Sequence, residues 1–276
     1  MKPNDLTNRI TKKFNHLNKW AKRQTISCMR VYNRDLEEYP FICDWIDGDV
    51  VIWLYERKKD ETVKQQQQFE ELVKESVCTA LEISEKKLWV KQRGQKKGIQ
   101  YSKYANTQFT KLVSEDQFKF EVNLSDYLDI GLFLDHRYTR KRCFELANGK
   151  RVLNLFAYTG SFTVYAIAGG ALSTTTVDLN QNYLKWAERN CMHNHLSKRP
   201  SDRFIAANCL SFIKMEASKS KYDLIICDPP TFSDSKKMAH SFHINRDYPE
   251  LLNDCKKCLA ENGIIATLLP GTTFFL

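Results

Sequence analysis

The sequence predicts a small α+β module followed by an α/β domain built on a doubly wound parallel sheet. Three observations predict it. Before residue 125, strand-like runs follow one another directly and are interrupted by a single long helical run. After residue 150, short apolar runs alternate with longer helical ones, the order of β–α units whose strands lie parallel. The 276 residues, 42% of them hydrophobic, suffice for two domains with cores of their own. The expected division is 1–125 and 126–276.

Residues 4–23 carry Leu6, Ile10, Phe14, Leu17 and Ala21 at intervals of three or four, which predicts an amphipathic helix. Arg9, Lys12, Lys13, Lys19, Lys22 and Arg23 occupy its other faces, as a solvated surface or as a phosphate-contacting one. Strand-like runs follow at 26–32, 40–45 and 50–55. Asp47-Gly48 between the last two marks a hairpin turn. Residues 62–82 read as a helix with Val63, Phe69, Leu72, Val73, Val77 and Leu81 on its apolar side. Runs at 88–91 and 118–124 complete the module. The loop between them begins KQRGQKKG, and Arg93, Lys96 and Lys97 are its candidate RNA contacts.

The net charge of +9 permits a polyanionic partner without demanding one, because the excess is shared by both halves. No apolar run approaches the roughly 20 residues of a membrane span. The first 20 residues lack the apolar stretch of a signal peptide. A cytoplasmic protein with no membrane partner is expected, its nine cysteines reduced. Cys255 and Cys258 form a CxxC with no second pair to complete a zinc site, so no metal is expected and both read as small buried apolar residues.

In the second domain, strands are expected at 152–156, 173–177, 203–206, 224–227 and 263–268, with helices at 160–169, 180–194, 209–217 and 246–260. Ligands bind such sheets at the carboxyl ends of the strands. The first strand runs into LNLFAYTGSFT, where Gly160 opens the next helix. The second glycine of a dinucleotide fingerprint is missing, so the turn suits one close backbone approach, such as an amino acid moiety. The second strand ends at Asp178, whose carboxylate can take both hydroxyls of a ribose. The third leads into Asn208 and Cys209. The fourth ends in DPPTF, where Asp228 precedes two prolines whose carbonyls are left outside any helix and Phe232 offers a flat face to a base. Each piece alone is common. As an ordered set they suit a class I S-adenosylmethionine (SAM) methyltransferase rather than a nicotinamide enzyme. The preceding GLFLDHR is either a charged helix start or a lid, with Asp135, His136 and Arg137 at the charged amino acid end of SAM.

The segments YLDIGLFLDHR, LNLFAYTGS, GGALSTTTVDLNQNYLKWAERN, CDPPTFSDSKKM and QRGQKKG resemble the ribosomal RNA large-subunit methyltransferase K/L family, over residues 4–265. The resemblance is to the C-terminal half of the fused bacterial enzyme, which makes 7-methylguanosine in 23S rRNA. It implies a Rossmann-like class I domain, SAM as cofactor and 23S ribosomal RNA as partner. It also implies that Phe133, Asp135, Arg137, Phe156, Ala157, Tyr158, Thr159, Gly160, Ser161 and Asp178 hold SAM. Asn208 and Cys209 would border the adenine. Asp228, Pro229, Pro230 and Phe232 would form the target-base edge, and the N-terminal module would dock RNA.

Two departures follow from the same comparison. Position 208 is Asn where Asp is expected. The stretch TLLPGTTFFL does not match the polar segment, helix and antiparallel hairpin that follow the fifth strand in the family. The expectation is therefore a catalytic domain truncated after its fifth strand, with an open sheet edge and thin cover over Leu224, Ile226, Ile264 and Ala266. A separate N2-methyltransferase/THUMP half is a candidate partner. Guanine N7 is already a lone-pair nucleophile and needs no strong base. Cytosine C5 methylation, which requires a nucleophilic cysteine, exocyclic amino methylation, and an inactive RNA- or SAM-binding remnant stay open as alternatives.

Overall fold

Helical spacing of apolar residues produces α1 (Pro3–Arg23), with Leu6 and Ile10 fully buried. The structure is a computed structural model and describes residues 3–57, 61–93, 105–197, 199–219, 221–234, 241–269 and 272–276. The chain divides into two units, Met1–Ile130 and Gly131–Leu276.

In the first unit β1 (Cys28–Asn33), β2 (Phe41–Ile46) and β3 (Asp49–Tyr55) form an antiparallel meander. Asp47 and Gly48 both take positive φ, +49° and +89°, as a tight two-residue hairpin turn requires. The next strand, β4 (Leu88–Arg93), pairs parallel to β3, a connection that needs a crossover element. Helix α2 (Val63–Leu81) is that crossover. Its start is fixed by a capping box between Thr62 and Gln65, and its end by Glu82 in the left-handed conformation. Leu6 and Ile10 of α1 and Phe69, Val73 and Val77 of α2 share a core with Val31, Phe41, Val50 and Ile52 of the sheet. A separate hairpin, β5 (Thr110–Glu115) with β6 (Phe118–Asn123), adds a strand that the sequence pattern did not predict. In β5 four of six side chains are exposed or half-buried, so its apolar signal is weak.

The second unit begins with a 3₁₀ turn (Leu134–His136) and α3 (Arg137–Leu146). It continues as β7 (Arg151–Leu155), α4 (Ser161–Ala168), β8 (Ser173–Asp178), α5 (Gln181–His193), β9 (Asp202–Ala206), α6 (Cys209–Glu216) and β10 (Tyr222–Cys227). A two-residue pair, β11 (Phe232–Ser233) with β12 (Phe242–His243), precedes α7 (Ile244–Lys257), β13 (Leu259–Leu269) and β14 (Thr272–Phe275). The sheet order is β14-β13-β10-β7-β8-β9, parallel from β13 to β9. This is the expected α/β fold of the Rossmann-like class.

The two-residue period of β10 sends alternate side chains into two cores. Ile225 and Cys227 join Phe212 and Leu251 of α6 and α7, whereas Leu224 and Ile226 join Cys143 of α3 and Phe162 and Ala166 of α4. Both members of the CxxC are fully buried, and the Cys258 thiol reaches the Ile213 carbonyl at 3.4 Å. All nine cysteines are free thiols.

The expected stop after the fifth strand is corrected. Residues 272–275 form β14 and pair antiparallel with β13, from Leu269↔Thr272 to Ala266↔Phe275. Thr and Phe favour extended, half-buried positions, which is why this short tail adds to the sheet. Leu224, Ile226 and Ala266 are each at most 1% exposed, because α3 and α4 cover their face; Ile264 is half-buried. Phe274 and Phe275 on the added strand, and Leu276 just after it, are exposed. No helix among the described residues is long and apolar enough to cross a membrane.

Candidate functional site

Strand register gathers the candidate residues at one edge of the second unit's sheet. Cys227 lies opposite Leu155, Leu155 opposite Val177, and Asp178 opposite Ala206. The residues that follow β7, β8, β9 and β10 therefore emerge side by side at the carboxyl ends, where open α/β sheets bind ligands.

The loop after β7 has an unusual backbone. Phe156, Tyr158 and Gly160 have φ of +56°, +50° and +70°, so alternate residues are left-handed. Gly160 is required here on two counts. A Cβ would lie 2.4 Å from the Ala187 Cβ of α5, and an L side chain would be strained at that φ. The turn closes on itself through Gly160 N–H to the Ala157 carbonyl at 2.8 Å, and Ser161 begins α4. Tyr158 N–H donates to Asp178 Oδ2 at 2.8 Å, while Asn180 N–H donates to Asp178 Oδ1 at 2.8 Å. Burial pushes the Asp178 carboxyl up to about 6 against those donors. The Leu179 N–H is a third backbone donor to this carboxylate, and two oxygens with roughly four acceptor sites between them keep capacity for a hydroxyl.

The segment before α3 is tied to this loop. Gly131 has φ +105°, and a Cβ there would meet the Trp186 ring at 2.4 Å. Its carbonyl accepts the buried Thr159 hydroxyl at 2.5 Å. The Phe133 ring lies 5.3 Å from that of Tyr158 and is partly exposed, and Asp135 is exposed. Arg137 is buried in the first turn of α3. One turn on, the fully buried Arg140 donates to the Phe133 carbonyl at 2.9 Å. Sequence reasoning missed Arg140, although its spacing of four from His136 placed it on the same helical face.

At the end of β10 the Asp228 carboxylate is 3.7 Å from His136 Nε2. Burial, and then the neighbouring Asp135 carboxylate, push the Asp228 carboxyl up to about 7, with Arg140 pulling the other way. Burial holds the His136 imidazole below its ordinary value. His136, expected at the amino acid end of a cofactor, thus sits against the DPP motif. Pro229 is buried and Pro230 half-buried. Phe232 is half-buried in β11, its ring 4.6 Å from that of His243.

Two expected ligand residues are occupied structurally. Asn208 caps α6, its side-chain carbonyl accepting from Leu210 N–H at 2.8 Å and Ser211 N–H at 3.4 Å. The amide N–H₂ is what remains to face a base. Cys209 is buried, accepts Phe156 N–H at 3.2 Å and donates to the Val177 carbonyl at 3.6 Å. Burial raises its thiol, and a hydrogen bond with Cys255 together with burial raises that of Cys227. Arg93, in the first unit, ends β4 and is ion-paired with Asp129, with the Tyr55 hydroxyl 3.5 Å away, so it is not the free loop cation expected. Lys96 and Lys97 lie outside the described residues.

The donor set fits SAM. A half-buried strand-end acid suits the ribose diol, the left-handed loop brings backbone N–H groups close, and a second half-buried acid, Asp228, lies two strands away. Residues 26–272 match the family described as S-adenosylmethionine-dependent methyltransferase. The chain is 45% identical over 261 residues to "Ribosomal RNA large subunit methyltransferase K/L" of Hahella chejuensis, covering 94% of this chain and 36% of that protein. It is 41% identical over 263 residues to the protein of the same name in Vibrio cholerae, covering 95% of this chain and 37% of that one. The chain thus spans little more than a third of the length of these relatives. Among solved structures, a methyltransferase complexed with SAH superposes with a TM-score of 0.78 at 23% identity, over 97% of this chain and 67% of that one. A Streptococcus mutans structure described as a SAM-dependent methyltransferase gives 0.77 at 23% identity over the same shares.

Proposed function

This chain belongs to the family of SAM-dependent methyltransferases, and from that premise we propose that it methylates large-subunit ribosomal RNA, forming 7-methylguanosine in 23S rRNA by direct transfer to guanine N7. The observation that carries the rRNA reading is the 45% identity, over 94% of this chain, to a relative named for that activity. SAM supplies an electrophilic methyl group on a positively charged sulfur. Guanine N7 brings its own lone pair, so the chain's task is alignment rather than deprotonation. In this reading Asp178 takes the ribose hydroxyls and the 156–161 turn holds the amino acid end together with Phe133, Asp135 and Arg137. The Asn208 amide borders the adenine. Phe232 stacks the target base, and Asp228 with the carbonyls of Pro229 and Pro230 faces the positive charge that develops on the ring.

The thiol chemistry counts against the cytosine C5 alternative. That reaction needs a cysteine thiolate to attack the base. Cys209 and Cys227, the cysteines beside the site, are buried and held in the thiol form. Exocyclic amino methylation keeps one point in its favour: the Asp228 carboxylate precedes Pro-Pro and is partly open, so it can accept an amine hydrogen. The N-terminal unit would dock the RNA, and a separate N2-methyltransferase/THUMP half would act on the same rRNA.

The deciding experiment is nucleoside mass spectrometry of unmodified 23S rRNA after incubation with the protein and SAM. The expected product is 7-methylguanosine. Appearance of 5-methylcytidine or N2-methylguanosine instead would replace the N7 assignment, and no methylated nucleoside would mean that this chain alone is not the enzyme.

A further inference from the structure

Asp228 and His136 meet at the carboxyl end of β10, three strands from β9, which leads into Asn208. The sheet places these groups in order. From Asn208 after β9 one passes to Asp178 on β8, then to the left-handed loop after β7, then to Asp228 after β10. Neighbouring strands are about 4.8 Å apart, so Asp178 and Asp228 are separated by roughly 10 Å across the sheet. A nucleoside whose ribose diol meets Asp178 has its base on one side of the sugar and its 5′ substituent on the other. With the base toward Asn208, the 5′ substituent runs toward β7 and β10. In SAM that substituent is the sulfonium.

Asp228 has a defined surrounding. Asp135 and His136 approach from the 3₁₀ turn, Arg140 from α3, and Cys227 precedes it on β10. Around His136 stand the rings of Phe133 and Phe162, each 6.3 Å away between centroids. The carboxylate side chain keeps 27% of its surface exposed and His136 20%, so a charge here is only partly screened by solvent. A carboxylate here acts strongly on a neighbouring cation and hardly at all on a neutral thioether.

We propose that Asp228, held against His136, is the group that distinguishes SAM from its demethylated product S-adenosylhomocysteine, by attracting the sulfonium charge that transfer removes. The inference rests on SAM being the cofactor and is independent of the RNA target. The two ligands share adenine, ribose and amino acid, so Asp178, Asn208 and the 156–161 turn hold both alike. They differ by a methyl group and a positive charge, and Asp228 reads the charge. Binding of the cation is linked to loss of the Asp228 proton, because the ionised carboxyl attracts the sulfonium and the neutral one does not. Burial keeps that proton on near neutral pH, which brings the linkage into the working range. Departure of the methyl group then removes the sulfonium charge from beside the partly open Asp228 carboxylate, which favours proton uptake and release of the spent cofactor.

The test is calorimetric titration with SAM and with S-adenosylhomocysteine from pH 6 to pH 8, without RNA. The ratio of SAM to S-adenosylhomocysteine affinity should rise about tenfold across that range in the unmodified protein, as expected for one linked proton. In Asp228→Asn the ratio should be independent of pH. As a second reading, the His136 imidazole, followed by NMR, should show a step as Asp228 titrates; SAM should move that step to lower pH and S-adenosylhomocysteine should not. A pH-independent ratio in the unmodified protein overturns the proposal while leaving the cofactor in place, and needs no variant to fold. A rise that persists in Asp228→Asn overturns it as well. Failure to bind either ligand at any pH overturns the cofactor assignment and this inference together.

Discussion

At the scale of single residues, Asp228 makes a prediction about stability without any ligand. A free aspartate ionises near ~3.9, whereas burial and the adjacent Asp135 carboxylate raise this carboxyl to about 7. Between those values the folded chain holds a proton that the unfolded chain has lost. The stabilisation is therefore complete below ~4 and is lost as pH rises through about 7. A gap of about three pH units sets an upper bound near 4 kcal/mol, reduced by the side chain's partial exposure. The urea midpoint of the unmodified protein should fall between pH 5 and pH 8, and that of Asp228→Asn should fall less. Identical pH dependence in both would mean that the carboxyl is not desolvated. Asp178, raised by burial to about 6, adds a smaller effect of the same sign. Both acids were legible in the sequence, because an acidic residue ending an apolar run is a local signal. The approach of His136 to Asp228 was not, since 92 residues separate them and only the sheet brings them together. Asn208 shows the opposite case: a residue just before a helical run is a helix-cap signal, and its side-chain oxygen does cap α6, which leaves the amide N–H₂ for the proposed adenine contact.

Among the elements, the turn from β7 into α4 carries the tightest constraint. Its left-handed residues lay a backbone N–H on Asp178, and Gly160 lets α5 approach closely. Gly160→Ala should cost about 1–2 kcal/mol for an alanine held left-handed. Overpacking against Ala187 should add about 1–3 kcal/mol. A lowered melting temperature together with weakened SAM binding is expected, since strain and the proposed SAM contact share one loop. A variant as stable as the parent would show that the loop has another accessible path. The alternation of strands and helices after residue 150 predicted this turn because each β–α unit has a long apolar strand core. The same reasoning failed for β5, where only two of six residues are buried, and for β14, most of which is exposed; both depend on a partner strand for their pattern. It placed β10 and the inner part of β13 because a strand buried on both faces reads as a continuous apolar run, and it missed residues 259–262 of β13, which are exposed or half-buried.

At the scale of the whole molecule, the charge balance must be divided between cations already engaged and those still available. The net +9 does not say which they are. The structure removes Arg93 from the available set by pairing it with Asp129, and Arg9 and Lys13 by placing both near Asp35. On α1 that leaves Lys12, Lys19, Lys22 and Arg23, all exposed, with Asp5 the sole acid of the helix. Lys12, Lys19 and Arg23 recur at intervals of seven and four, so they share one face, opposite the buried Leu6 and Ile10. At 1.5 Å per residue the row is roughly 16 Å long. If this unit docks rRNA as proposed, the row is its strongest phosphate contact. Replacing the three by glutamine should lower the slope of log affinity against log salt by about 2 for a single-stranded rRNA fragment. Fluorescence anisotropy at several salt concentrations measures it. Arg93→Gln should leave the slope nearly unchanged, because its charge is already matched. Little stability should be lost in the triple variant, since these side chains lack an ion-pair partner among the described residues and surface charges contribute little. An unchanged slope in the triple variant, with RNA still bound, would make this face an ordinary solvated surface and move the docking site elsewhere on the chain.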